Sequence, residues 1–174
     1  MKIKNVKASE IITTKDFPVH NPHILKIYFK ICQKDNAILP PTPIIPLSIG
    51  LPLLKGKTDK EKLYNKKIKQ FIKDSGAKYI MCDGSHKTTS LTLTHHKIHS
   101  AILETDNDVK EFHNLVEVGE ILSFASENTI DKILFEKANH LKTAKFFETV
   151  EDKTKRMVEE KVIPNYMIQH YKNK

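Results

Sequence analysis

The stretch from Ile38 to Leu54 is strongly apolar, yet it holds five prolines and a glycine. Proline has no backbone N–H and clashes with the preceding turn, so this run can be neither a helix nor a membrane-spanning segment. Pro40-Pro41-Thr42-Pro43 forces an extended entry. Ile44-Ile45-Pro46-Leu47 then reads as a short strand that proline restricts to an edge or a strand end.

Around this extended run, helix and strand signals alternate. Lys2 to Val6 reads as a strand, followed by a turn over Ser9-Glu10-Ile11-Ile12. Asn21 caps a helix that starts at Pro22, carries Ile24, Ile27, Tyr28 and Ile31 on one face, and stops near Asp35-Asn36. Thr58-Asp59-Lys60-Glu61 is a capping box, after which Tyr64, Ile68, Phe71 and Ile72 recur at helical spacing until Gly76. Lys78 to Cys82 is an apolar run of strand length closed by Asp83-Gly84. Ser85 to His96 follows as a helix, although four threonines and two serines weaken its propensity. Ile98 to Leu103 is another strand, and Asp106-Asn107-Asp108 can cap a helix from Val109. From Leu115 onward the pattern is helical, with Ile130, Ile133, Leu134, Ala138 and Leu141 on one face, a capping box at Thr149 and Asp152, and a stop at Pro164. The fold class this predicts is mixed α/β: a small mixed sheet with flanking helices over residues 1–114, a helical insert at 50–77, and a helical C-terminal region over 115–174.

A chain of 174 residues supports one main core. Its mean hydropathy of −0.42 is that of a soluble protein, and no apolar stretch approaches the ~20 residues of a membrane span. Met1 to Lys7 carries positive charge with no apolar run behind it, so a cytoplasmic protein with no membrane partner is expected. Cys32 and Cys82 lack C-x-x-C spacing and are expected as thiols; Cys82, beside Ile80 and Met81, reads as a packed strand residue. The net charge of +8 favours weak association with polyanions. Only Arg156 among 29 basic residues is an arginine, however, and base reading and bidentate phosphate clamps favour arginine. Lys60, Lys62, Lys66, Lys67, Lys69 and Lys73 read as a solvated face, with a phosphate-tracking surface as the alternative. His95, His96 and His99 straddle a helix end without the glutamate of a zinc hydrolase and read as structural or surface residues. His20 and His23 flank Pro22 and face solvent or a neighbouring cleft.

The sharpest chemical signal is Asp83-Gly84-Ser85-His86-Lys87. A strand that ends in Asp-Gly and turns directly into a helix presents unpaired N–H groups and the positive helix end, which together form an anion site. Gly84 lets the backbone approach a ligand, Ser85 can cap the helix and donate a hydroxyl, and His86 and Lys87 supply donors beside a phosphate. Asp83 can hold a magnesium ion or accept a proton. This predicts a strand-to-helix junction at the mouth of a pocket.

In order, the helix after Pro22, Ala37-Ile38-Leu39-Pro40-Pro41-Thr42-Pro43-Ile44-Ile45, the run from Tyr79 through Asp83-Gly84-Ser85-His86-Lys87-Thr88-Thr89-Ser90-Leu91, and the strand at Ile98 resemble the ParB/sulfiredoxin superfamily. The resemblance covers about the first two-thirds of the chain, and its specific part is Asp83 to Leu91. It implies that Gly84, Ser85, His86, Lys87 and Thr88 contact nucleotide phosphates. Sulfiredoxins carry a cysteine where this chain has Ser85, and chromosome-partitioning ParB proteins read Gly-Glu-Arg-Arg where this chain has neither the glutamate nor the arginines. The Asp-Gly-x-His-basic form is closest to the free serine kinases, although Lys87 stands where they have arginine. That likeness implies phosphoryl transfer from ADP or ATP, with Mg2+, to a small hydroxyl substrate such as free serine. Their acidic catalytic residue, in the loop after the first strand, maps onto Asp16, with Glu10 a poorer match. The expected catalytic set is Asp16, Asp83 and His86, with Asp83 on the metal. A ParB-like DNA-binding or nuclease module is the alternative.

Overall fold

A computed structural model describes residues 1–34 and 39–173. Its strands are β1 (Lys2–Val6), β2 (Ile11–Ile12), β3 (Thr42–Pro46), β4 (Tyr79–Met81) and β5 (Ile98–Ile102). Its helices are α1 (Pro22–Cys32), α2 (Asp59–Ser75), α3 (Ser85–Leu93), α4 (Asp106–Glu117), α5 (Ile130–Leu141), α6 (Val150–Glu159) and α7 (Asn165–Lys172). The five strands form one sheet in the order β1-β5-β3-β4-β2. β3 runs parallel to β5 and antiparallel to β4, β2 is parallel to β4, and β1 is antiparallel to β5. The expected class, a small mixed sheet with flanking helices, is the observed one.

The proline-rich strand departs from expectation. β3 lies in the middle of the sheet and every one of its residues is buried. Proline is tolerated there because the neighbouring strands ask it for carbonyls: Pro43 O accepts from Cys82 N at 3.0 Å, and Ile44 O accepts from Leu103 N at 2.9 Å. Pro46 does close the strand, as proline at a strand end should.

Helix ends follow the sequence more closely than helix faces. Asn21 Oδ1 accepts from His23 N and Ile24 N with Pro22 at the first position, and Thr58 caps α2, which Gly76 ends at φ +67°. The buried face of α1 is Leu25, Phe29 and Cys32, whereas Ile24 and Ile27 face solvent. Both sets repeat at helical spacing, so periodicity alone chose the wrong stripe. The expected stop at Asp35-Asn36 and the residues Ala37 and Ile38 lie outside the described residues. α4 begins one turn earlier than expected, capped by Thr105 in a box with Asp108. Ser9 and Glu10 sit in a single 3-10 turn that leads into β2. The segment after Leu115 is not helical throughout: residues 118–129 form turns and extended loop between α4 and α5.

The helices after Leu115 share their cores with the elements before it. Leu25 and Phe29 of α1 and Leu93 of α3 pack with Met157 and Val158 of α6 and Met167 and Ile168 of α7. Ile12, Ile45 and Ile80 of the sheet join a cluster that reaches Ile133, Leu134 and Ala138 of α5. Each such side chain stabilises the fold by about 1.5–3 kcal/mol when buried.

α6 also fixes the loop between β2 and α1. Thr13 N donates to Glu148 O at 3.0 Å, and Ile12 bridges to Thr149. The Arg156 guanidinium lies 3.2 Å from the Phe17 ring centroid and 4.6 Å from that of Phe146, while its Nε and Nη2 each donate to the Glu148 carboxylate at 2.7 Å. The chain's single arginine is thereby committed to holding the loop that carries Asp16.

Cys82 is packed as expected, at 2% exposure, and burial pushes its thiol up to about 12. A buried thiol that stays protonated is a poor nucleophile. Cys82 should therefore react with a thiol reagent no faster than the protein opens, and labelling at the rate of a free cysteine would contradict this packing.

Candidate functional site

β4 ends at Met81 and α3 begins at Ser85, so the motif is a strand-to-helix junction. Gly84 makes the turn at φ +99°, a conformation that side-chain-bearing residues rarely adopt. A Cβ at this position would also lie 3.3 Å from Thr42 Cγ2. Gly84 N donates to Asp83 Oδ1 at 2.6 Å, which locks the turn. Ser85 does not cap the helix: the N-cap is Gly84, and Ser85 is the first helical residue. The N–H groups of Ser85, His86 and Lys87 thus open the helix with no carbonyl one turn behind them, beside the half-buried residues Asp83 to His86.

What Ser85 does instead defines the site. Its Oγ accepts from Lys153 Nζ at 2.6 Å, and the same ammonium donates to Asp16 Oδ1 at 3.1 Å. Three residues from three distant segments meet at one nitrogen. Thr14 Oγ1 donates to Asp16 Oδ1 at 2.8 Å, while Asp16 Oδ2 is buried with no hydrogen-bond partner among the described residues. The Lys153 side chain is 1% exposed. Burial pulls its pKa down from the ordinary lysine value, and the Asp16 carboxylate opposes that shift.

His86 closes the cluster. Its Nε2 accepts from Asn21 N at 3.2 Å, and its ring meets that of His20 edge to face at 4.6 Å. An accepting Nε2 leaves the proton of the neutral ring on Nδ1. Burial lowers the His86 pKa first and the His20 charge second, while Asp16 and Asp83 pull it upward. Asp16 reaches Ser85 through Lys153, and Asp83 and His86 lie within two residues of Ser85 at the same strand-to-helix turn.

Two expected phosphate ligands are not in position. Lys87 is 8% exposed, and its Nζ donates to Pro40 O at 2.6 Å and Pro41 O at 3.0 Å. Burial pulls its pKa down to about 8, with Asp83 opposing. The turn at Gly84 rolls the third helical position inward, so Lys87 bolts α3 to the entry of β3 and does not face a ligand. Thr88 is fully buried, and its hydroxyl donates to Ser85 O at 3.1 Å. Glu10, the poorer candidate base, is engaged by Lys78 Nζ at 2.6 Å.

The clustered histidines His95, His96 and His99 have structural partners: His95 Nε2 lies 3.0 Å from Tyr171 O, His96 Nδ1 lies 2.9 Å from Thr94 Oγ1, and His99 Nδ1 lies 3.3 Å from Asn5 Oδ1. Among the described residues, no group of three or more His, Cys, Asp or Glu side chains is arranged to hold a metal ion. Magnesium that arrives with nucleotide phosphates needs only one or two protein carboxylates. Asp83, half-buried in the turn before α3, is a carboxylate of that kind, whereas Asp16 Oδ2 is closed to solvent. Two surface concavities, of about 620 and 590 Å3, are lined by other residues, among them Asp106, Lys110 and Glu117 in the first and Lys55, Phe135 and Glu136 in the second.

Lys153 is the residue the motif does not announce. Its signal lies in α6, where Val150, Lys153, Thr154, Met157 and Val158 form the buried face. A lysine on an apolar stripe at that spacing calls for a buried anionic or hydroxyl partner. Comparison with protein-family models, with curated proteins and with solved structures finds no match.

Proposed function

We propose that the chain binds a nucleotide at the N-terminus of α3 and transfers a phosphoryl group from ADP or ATP to a small hydroxyl compound such as free serine. On this proposal it is a relative of the ParB/sulfiredoxin superfamily in its kinase form. The observation that carries the reading is the meeting of Asp16, Ser85 and Lys153 beside the open N–H groups of α3. Phosphoryl transfer leaves a protein little covalent work, so positioning and charge stabilisation dominate the barrier. The N–H groups of Ser85 and His86 bind phosphate oxygens, and the His86 Nδ1 proton is a further donor. Lys153 supplies the buried donor expected of Lys87. Asp16, whose side chain is 18% exposed, accepts the proton of the attacking hydroxyl. Asp83 would hold a magnesium ion, which would neutralise phosphate charge.

Calorimetric titration with ADP and ATP, followed by a transfer assay with L-serine and related hydroxy compounds, tests the reading. Asp16→Asn should bind nucleotide with affinity near that of the natural chain and lose ~10²–10³ in turnover, because it removes a proton acceptor and keeps the shape. No nucleotide binding at millimolar concentration would end the proposal.

One observation favours a nucleic-acid reading. Lys62, Lys66, Lys69 and Lys73 are all exposed and recur at i, i+4, i+7 and i+11, which aligns them along the outer edge of α2. With no arginine among them, the stripe should bind duplex DNA weakly and without sequence preference, its affinity falling with log[salt] at ~0.9 per phosphate contacted. Binding that survives high salt or discriminates among sequences would promote the DNA-binding alternative.

A further inference from the structure

The geometry points to Ser85 as a covalent nucleophile: we infer that it takes the phosphoryl group from the nucleotide before the acceptor hydroxyl does. This inference rests on the phosphotransferase reading and adds an intermediate to it. The first support is placement. Ser85 is the first residue of α3 and is followed directly by the open N–H groups of His86 and Lys87, the kind of donors that the oxygens of a tetrahedral or metaphosphate-like group need. Carbonyls one turn back are absent for those N–H groups, so nothing in the helix competes for them. The second support is the contact with Lys153, at 2.6 Å from the hydroxyl. A buried lysine beside a serine hydroxyl is the arrangement of a general base paired with its nucleophile. Burial lowers the Lys153 pKa from the ordinary lysine value, and the Asp16 carboxylate opposes that shift. The third is orientation. The ammonium of the resting fold touches both Asp16 Oδ1 and Ser85 Oγ, so once it gives up a proton its nitrogen is still held between them and can take the proton of Oγ.

The steps balance. Ser85 Oγ attacks the terminal phosphorus, the Oγ–H bond breaks toward Lys153 Nζ, the Oγ–P bond forms, and the bridging P–O bond breaks with its electron pair on the departing nucleotide. The acceptor hydroxyl then attacks the phosphoserine and gives its proton to Asp16, which passes it to water as the product leaves. The Oγ–P bond breaks, and Lys153 returns its proton to Ser85 Oγ. No oxidant or reductant enters.

The test uses the full chain, ATP and ADP carrying a labelled terminal phosphate, and no acceptor. The expected result is one phosphoryl group per chain, located on the peptide that contains Ser85, together with exchange of label between ATP and ADP pools. Ser85→Ala should bind ADP within about threefold of the natural chain, take up no label and lose at least ~10³ in turnover. Lys153→Met should slow labelling by ~10²–10³. Should Ser85→Ala prove poorly folded, the location of label on the unmodified chain and the rate at which a fluorophosphonate reacts with Ser85 decide the matter without it. Turnover with no label on Ser85, or a Ser85→Ala variant that transfers phosphate at the normal rate, overturns the inference and leaves the phosphotransferase reading standing. Absence of nucleotide binding removes both.

Discussion

Replacing Lys153 with alanine is expected to destabilise the protein by about 3–5 kcal/mol, because it strands a carboxylate inside the fold. Lys153 is 1% exposed and Asp16 is 18% exposed, so the pair is largely withdrawn from water. Removing the ammonium leaves Asp16 with Thr14 as its hydrogen-bond donor and opens a cavity at the junction of α3 and α6. The double variant Lys153→Met with Asp16→Asn should recover most of the loss, since no uncompensated charge remains and the methionine fills the space. Urea unfolding of the single and double variants measures both effects. A Lys153→Ala midpoint equal to that of the natural chain would show that the pair is not buried in solution.

Lys87 predicts a pH dependence of opposite character. Its folded-state pKa is depressed from 10.5 to about 8, and burial is the main cause. Between those values the unfolded chain binds a proton that the folded chain does not, so the contribution of Lys87 to stability rises as pH rises from about 8 to about 10.5. Below about 8 both states are protonated and the penalty is constant. The swing is on the order of 3 kcal/mol. Cys32 and Cys82, whose thiols are pushed up to about 11 and about 12, run the other way above pH 9. The decisive quantity is therefore the difference between the natural chain and Lys87→Met, which should change in favour of the natural chain as pH climbs. The same variant should leave nucleotide affinity within about threefold, because the Lys87 ammonium faces Pro40 and Pro41. A tenfold or greater loss of affinity would return Lys87 to the binding site.

The sequence was most informative where short-range chemistry decides the outcome. Asn21 with Pro22, Thr58, Gly76, Asp83-Gly84 and Thr149 with Asp152 each define a helix end or a turn through their own backbone preferences, and each is found in that role. Side-chain direction depends on tertiary packing and was less legible. Ile24 and Ile27 satisfy helical spacing as well as Leu25 and Phe29 do, and only the docking of α3 and α7 selects between them. Lys87 shows the same limit, because a motif gives the order of residues and not the roll of the helix that carries them. Thr42 to Pro46 looked unfit for the centre of a sheet on proline content, and only the neighbouring strands' demand for carbonyls explains its place there. The pairing of Lys153 with Ser85 spans 68 residues and that with Asp16 spans 137. No local signal covers such distances, although a lysine on the apolar face of α6 shows that some partner must exist.

Those separations also set an order of events during translation. Asp16 and Ser85 leave the ribosome long before the lysine that joins them. At ~5–20 residues per second, the 68 residues between Ser85 and Lys153 take about 3–14 s to synthesise. Through that interval the nascent chain carries the motif without the amine that bridges it to Asp16. A message that breaks or stops ahead of codon 153 therefore yields a product in which Asp16 and Ser85 have no common partner.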